Sequence, residues 1–220
     1  MLQALYGYAR GPLAWAAFGL FIGGIILKLM RLYALSLKKD QVIYDHLSIS
    51  WALRSIVAYL LPLNRSVASK PIFSAIAYMF HICLIAAPLL VMAHAELMYE
   101  SWGVSLPYIK DAVVDVMAVV VMLTGLALLV RRFIDPTVRL LTTPTDIALL
   151  LATIAPFATG FLAYHQLLLP YDLAIVLHLL SAELVLALIP FTKLSHFALF
   201  FVTRGLIGSE FGGRRATRAW

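Results

Sequence analysis

Five stretches of the chain consist almost entirely of apolar residues and are separated by more polar connections, of which all but the first are short. Each stretch is close to or above the roughly 20 residues that an α-helix needs to cross the hydrocarbon core of a bilayer. The pattern predicts an all-α integral membrane bundle of five transmembrane helices, in one domain that covers residues 1–220. The predicted spans are about 12–35, 71–96, 111–131, 143–166 and 171–203.

The connection between the first two spans is the longest in the chain and mixes polar with apolar residues over about 41–62. Its charged and aromatic residues favour a helix that lies in the membrane interface and ends at Pro62. A short re-entrant or docking helix is the alternative. The other connections are too short to hold a separate soluble domain.

The composition agrees with a membrane protein, since 63% of the residues are hydrophobic and only 13% are charged. The one cysteine, Cys83, excludes an internal disulfide and a cysteine-ligated zinc or iron–sulfur site within this chain. No CxxCH motif is present, so any haem would be bound without a covalent link.

The basic residues are concentrated in alternate connections, which predicts the orientation of the chain. We expect the N-terminus outside and the C-terminus in the cytoplasm. The net charge of +6 then comes from cytoplasmic loops rather than from a nucleic-acid-binding face. The basic residues predicted to be cytoplasmic are Lys38, Lys39, Arg54, Arg65, Lys70, Arg131, Arg132, Arg139, Lys193, Arg204, Arg214, Arg215 and Arg218.

Four histidines lie in two of the predicted spans, His81 and His94 in the second, His178 and His196 in the fifth. An imidazole within a membrane is costly and marks a functional site by default, and it is a common axial ligand of haem iron. Because the two spans run in opposite directions, we expect His94 to pair with His178 near the outer face and His81 with His196 near the inner face. Two haem b groups would then be bound across the bilayer.

The helical phase of the two histidines is favourable in the fifth span and unfavourable in the second. Eighteen residues at about 100° each return His196 to the face of His178, whereas thirteen residues leave His81 and His94 roughly 140° apart on an ideal helix. A kink or bulge at Pro88, which lies between them, would change that phase. His165, at the outer end of the fourth span, is the alternative outer ligand.

Two alternatives to haem ligation stay open for these histidines. They are either polar residues that form hydrogen bonds inside a helix bundle, or part of a non-haem transporter or membrane anchor. A metal-transport path would need interleaved carboxylates, and only Glu183 lies deep within a span. Haem ligation accounts for four histidines in two leaflets more simply.

The segment "VLHLLSAELVLALIPFTKLSHFALFF" resembles the last span of the membrane cytochrome b of respiratory nitrate reductase, the gamma subunit, in its histidine spacing and its Pro-Phe-Thr-Lys-Leu sequence. The segment "MFHICLIAAPLLVMAH" is similar to that family's first haem-binding span, although its histidines are further apart here. The long first connection and the "LLSAEL" sequence look closer to the cytochromes b of transmembrane redox complexes in sulfate-reducing and sulfur-oxidising bacteria.

The resemblance implies two bis-histidine haem b groups and electron exchange between a quinone pool, menaquinone in particular, and partner subunits. Those partners would be a heterodisulfide-reductase-like iron–sulfur protein in the cytoplasm, other membrane subunits and a multihaem cytochrome c. The location would be the inner membrane of a bacterium or archaeon. Both directions of electron flow are compatible with this sequence.

Two further sets of residues suit the chemistry of such a protein. Arg131 and Arg132 are on the side of the inner haem and would pair its propionates, which cannot stay unpaired in a membrane interface. Lys110, Asp115 and His165 are near the outer haem and are candidates for a quinone site, because quinone carbonyls need hydrogen-bonding and proton-exchanging groups.

Overall fold

The chain is almost wholly helical. The computed structural model describes residues 1–39, 42–45, 47–61 and 65–214. It is 87% helical, and the described residues contain no strand. Within these described ranges, five helices are long and apolar enough to cross a membrane, which confirms the predicted fold class of a multi-pass helical protein. These helices are Leu2–Lys39, Pro71–Leu90, Asp111–Ile134, Pro144–His165 and Tyr171–Leu188.

The residues cluster into two compact units. The first unit consists of Met1–Ala14 and Ile72–Val185, and the second of Trp15–Pro71 and Leu186–Trp220. The first, second and last of the five long helices each contribute residues to both units, the second only through Pro71.

The helices that supply the first unit carry most of the candidate site residues. A π-helical turn, Ala9–Leu13, follows α1 and contains Pro12. The helices are α1 (Leu2–Tyr8), α6 (Pro71–Leu90), α7 (Met92–Trp102), α8 (Asp111–Ile134), α9 (Pro136–Leu141), α10 (Pro144–His165) and α11 (Tyr171–Leu188).

Local sequence explains where some of these helices begin and how closely they pack. Thr143 and Asp146 form a reciprocal capping box at the start of α10, and Pro144 occupies its first position. In the core, Gly125 of α8 lies so close to Ile154 that a Cβ atom there would be 2.6 Å from its Cδ1 atom. The absence of a side chain at Gly125 therefore lets α8 and α10 approach closely.

The second unit is built around two helices that pack through small residues. Its helices are α2 (Ala14–Lys39), α3 (Val42–Asp45), α4 (Ile49–Leu60), α5 (Arg65–Ser69) and α12 (His196–Gly213), with a 3-10 turn at Lys193–Ser195. The backbone N–H of Ser48 donates to Ser209 Oγ at 2.6 Å. Gly208 of α12 lies against Ser55 and the backbone of Trp51 in α4.

The segment predicted to lie in the membrane interface, about 41–62, thus contains a helix, α4, that packs against α12. Gln41, His46 and Pro62, which belong to the same segment, lie outside the described residues. The predicted end of the interfacial helix at Pro62 therefore stays a prediction.

Two predicted spans are shorter in the structure. The second was expected as one helix over 71–96, but α6 ends at Leu90 and Val91 is extended (φ −74°, ψ 133°) before α7 begins. The fifth was expected over 171–203, but α11 ends at Leu188. Neither predicted span is therefore one continuous helix, and the kink or bulge considered at Pro88 corresponds to the break at Val91. Pro190 cannot donate a backbone hydrogen bond and disfavours helical geometry at the preceding residue, which explains the end of α11.

Candidate functional site

The break after α6 determines the position of His94. Because the helix ends at Leu90, its last carbonyl groups lack partners within the helix. The carbonyl oxygen of Pro88 instead accepts a hydrogen bond from His94 Nδ1, at 2.8 Å. The carbonyl oxygen of Leu90 accepts one from the backbone N–H of Ile109, at 3.0 Å. On an ideal helix His94 would point away from the face of His81, so a distortion between the two residues was needed. The helix break at Val91, three residues after Pro88, is such a distortion.

His178 is held by the neighbouring helix. Its Nδ1 atom donates to the carbonyl oxygen of Pro156, within α10, at 2.8 Å. One turn further along α10, Gly160 lies so close to the imidazole that a Cβ atom there would be 3.0 Å from both Cε1 and Nδ1 of His178. Gly160 therefore provides the space in which the ring lies.

The structure brings His94 and His178 together. Their ring centroids are 6.0 Å apart and their planes differ by 21°. The two rings are stacked, so the contact places both imidazoles in one site. Both side chains are partly buried.

All four predicted ligands share one hydrogen-bonding pattern. His81 Nδ1 bonds the carbonyl oxygen of Ala77 at 2.7 Å, and His196 Nδ1 bonds that of Lys193 at 2.9 Å. A carbonyl oxygen can only accept, so Nδ1 carries the hydrogen in each ring. The neutral ring then has its lone pair on Nε2, which is how metal-binding histidines are commonly oriented.

His81 and His196 belong to different units, and each is described by itself. His81 is an exposed residue of α6 whose ring meets Phe80 edge to face, with centroids 5.4 Å apart. His196 is the first residue of α12. Because α11 ends at Leu188, the phase argument for His178 and His196 on one continuous helix does not apply. The pairing of His81 with His196 stays a prediction.

His165, the alternative outer ligand, has the opposite arrangement. Its Nε2 atom donates to Asp115 Oδ1 at 2.9 Å. In the four predicted ligands the donor is Nδ1, and Nε2 is the acceptor. The His165 ring also lies beside Phe161 and Tyr164, at centroid distances of 4.3 and 5.0 Å. The structure therefore groups His165 with Asp115.

Lys110, the third candidate for a quinone site, is an exposed residue directly before α8. A separate cleft lies at the beginning of α11, and none of the three candidates lines it. The cleft is lined by Leu2, Gln3, Tyr6, Tyr171, Asp172 and Ile175.

The two arginines predicted to pair propionates have protein partners. The Arg131 guanidinium lies 3.7 Å from the centre of the Phe73 ring, and it bonds Asp135 at 3.3 Å. The backbone N–H of Val138 contributes most to lowering the pKa of Asp135 from its usual value, and the Arg131 charge acts in the same direction. Arg132 Nη1 lies 3.5 Å from Thr142 Oγ1.

The sequence did not reveal three features of these helices. One is the role of the Pro88 and Pro156 carbonyl groups, and another is the space at Gly160. The third is Lys28, whose Nζ atom donates to the carbonyl oxygen of Pro190 at 3.0 Å and to Ser195 Oγ at 2.7 Å. A lysine within an apolar span was the available signal for the last of these.

Clusters of three or more histidine, cysteine or acidic residues able to hold a metal ion are absent from the residues that the structure describes. Haem iron needs only two axial protein ligands, so this absence does not bear on a bis-histidine haem.

Glu183 is the other unusual polar residue of α11. Its side chain is buried, and neither carboxyl oxygen has a hydrogen-bond partner within the described part of the chain.

No family model and no solved structure matches the chain. A protein of Nitratidesulfovibrio vulgaris strain Hildenborough is 34% identical over 221 residues, which covers 97% of each chain. That relative carries the name "Protein", which assigns no activity. With this identity over nearly its whole length, the chain belongs to the same family as the Nitratidesulfovibrio vulgaris protein.

Proposed function

We propose that this chain is the di-haem b membrane subunit of a respiratory redox complex in a bacterial or archaeal inner membrane. It would transfer electrons across the membrane between the quinone pool and iron–sulfur or cytochrome c partner subunits. The observation that carries the proposal is the arrangement of His94 and His178, with ring centroids 6.0 Å apart and planes 21° apart.

The donor set suits a haem iron in three respects. The two imidazoles lie in one site, with ring centroids 6.0 Å apart. Both Nδ1 atoms bond backbone carbonyl oxygens, so each neutral ring has its lone pair on Nε2. Imidazole is, in addition, a common axial ligand of haem iron. When bound, the haem supplies the one-electron redox chemistry.

The protein's own contribution is to hold the two rings. The carbonyl oxygens of Pro88 and Pro156 restrain the rotation of the imidazoles, and a hydrogen bond at Nδ1 makes Nε2 a more basic ligand. Gly160 leaves room for the His178 ring. Because the rings are restrained before the cofactor binds, less conformational entropy is lost on binding.

For the second haem we propose His81 and His196, each with its Nδ1 atom bonded to a backbone carbonyl oxygen. Arg131 and Arg132 would pair its propionates. Asp135 and Thr142, their present hydrogen-bonding partners, would then share or lose them.

A reduced-minus-oxidised absorption spectrum of the purified full chain tests the proposal. We expect a b-type α band and two haems per chain by extraction. A chain purified after expression with adequate haem supply that shows no such band would be a non-haem transporter or anchor instead.

A matched pair of variants makes the test specific to the histidines. We expect His178→Ala to lower the haem content to about one per chain. Glu100→Gln, which removes an exposed ion pair with Arg10 in the same unit, should leave it at two. Equal haem content in both variants would contradict the assignment of His178.

A further inference from the structure

We propose that His165 and Asp115 form the proton-exchanging pair of a quinone site, in which His165 hydrogen-bonds the quinone oxygen and Asp115 orients His165. This inference rests on the proposed function and deepens it. The sequence placed both residues among the candidates for a quinone site; the structure supplies the contact that assigns each of them a role.

The contact joins the end of one span to the beginning of another. His165 is the last residue of α10, and Asp115 lies one turn into α8. Their atoms Nε2 and Oδ1 are 2.9 Å apart, and the side chains are 35% and 27% exposed. A carboxylate only accepts, so Nε2 carries the hydrogen and Nδ1 of the neutral ring is left as an acceptor.

The surroundings of His165 suit a flat ring. Phe161 and Tyr164 lie on its own helix, with ring centroids 4.3 and 5.0 Å from that of the imidazole. Aromatic side chains offer faces and edges on which another ring packs, and small-molecule sites combine such surfaces with a few polar groups. The polar groups here are the imidazole and the carboxylate.

The backbone beyond His165 is held in an uncommon conformation. Gln166 has φ 53° and Leu168 has φ 62°, both in the left-handed region that residues with side chains seldom adopt. Gln166 is the C-cap of α10, and a left-handed residue commonly ends a helix in this way. This turn fixes where α10 stops and therefore holds His165 at the very end of the helix.

Quinol oxidation at this pair conserves protons and electrons. An O–H bond of the quinol breaks and its proton forms an N–H bond at Nδ1 of His165. The second hydroxyl proton goes to water. The two electrons would leave one at a time to one-electron acceptors, the b-type haems of the proposed function. The Asp115 carboxylate stabilises the imidazolium so formed. Quinone reduction is the reverse sequence, with His165 as the proton donor.

The rate at which menadiol reduces the b-type haem of the full chain tests this role. We expect His165→Ala to slow that rate by about 100-fold, the lower end of what a positioned general base contributes. Haem content and the spectrum after dithionite should be unchanged. Because the side chain is partly exposed, added imidazole should restore part of the rate in His165→Ala.

Asp115→Asn should lower the maximal rate with little change in the menadiol concentration that gives half of it, since Asp115 acts through His165. Glu100→Gln, in the exposed pair with Arg10, is the matched control and should react as the unaltered chain does. An unaltered rate in His165→Ala would overturn the proposal. So would a slow rate that imidazole does not restore, which would mean a structural role.

Binding of a quinone analogue separates this inference from the proposed function. Quenching of the fluorescence of heptyl-hydroxyquinoline N-oxide reports occupancy without requiring haem reduction. We expect His165→Ala to weaken this binding about tenfold, the loss of one good hydrogen bond of about 1.4 kcal/mol. If the unaltered chain and His165→Ala both contain haem and bind the analogue equally well, the quinone site is refuted and the proposed function is not.

Discussion

His178 Nδ1 lies 2.8 Å from the carbonyl oxygen of Pro156, on the preceding span. A backbone atom of α10 thus determines the tautomer and the direction of an imidazole on α11. A backbone carbonyl is a more rigid acceptor than a side chain, because no rotamer can remove it. His94 has the equivalent partner in the carbonyl oxygen of Pro88, so both members of the predicted outer pair are held in the same way.

We expect His94→Ala to lose one of two haems, whereas His165→Ala keeps both. The reason is that His94 faces His178, with ring centroids 6.0 Å apart, and His165 bonds Asp115 through the nitrogen that would otherwise bind a metal. Haem extracted per chain is the measurement. Retention of two haems in His94→Ala with loss of one in His165→Ala would exchange the two assignments.

Gly160→Ala should weaken haem binding at the His94–His178 pair about tenfold. The added Cβ atom would lie 3.0 Å from the His178 ring, and overpacking of this kind costs about 1–3 kcal/mol. Haem retention during dilution measures the effect. Gly7→Ala is the control, because no heavy atom outside its own helix backbone lies within 4 Å of a Cβ atom there. Equal losses in both variants would show that the space at Gly160 is unimportant.

Gly208→Ala should lower the thermal midpoint of the chain in detergent, by the equivalent of about 1–3 kcal/mol or more. A Cβ atom at this position would overlap that of Ser55 and lie 2.7 Å from the backbone oxygen of Trp51. Gly205→Ala on the same helix meets nothing closer than 3.7 Å, so it should be neutral or stabilising. A similar midpoint for both variants would mean that α4 and α12 do not pack as described.

Ser195→Ala should also destabilise the protein, by about 1–3 kcal/mol. Ser195 is buried and accepts a hydrogen bond from the Lys28 ammonium group, which would be left with fewer partners in an apolar span. The thermal midpoint in detergent is again the measurement. Ser101→Ala, at an exposed position, serves as the comparison. If the two midpoints agree, the bond between Lys28 and Ser195 does not stabilise the fold.

The candidate site was partly predictable. The histidines could be recognised because an imidazole is costly in lipid, and the pairing of His94 with His178 followed from two antiparallel spans. The contact between Asp115 and His165 was not predictable, since the two residues are fifty positions apart and the sequence does not state which faces of α8 and α10 meet.

The number and the helical nature of the spans follow from the amino-acid sequence. Long apolar stretches have to be helices in a membrane, because only a helix satisfies its own backbone hydrogen bonds there. Where the helices break, and which nitrogen of each histidine is hydrogen-bonded, depends on contacts between parts of the folded chain. The break at Val91 and the end of α11 depend on partners for the released carbonyl groups, such as His94 for Pro88 and Lys28 for Pro190. Lys28 is distant from Pro190 in sequence, so only the packing of the helices brings the two together. His94 is close to Pro88 in sequence, and the turn of the chain at Val91 brings them into contact.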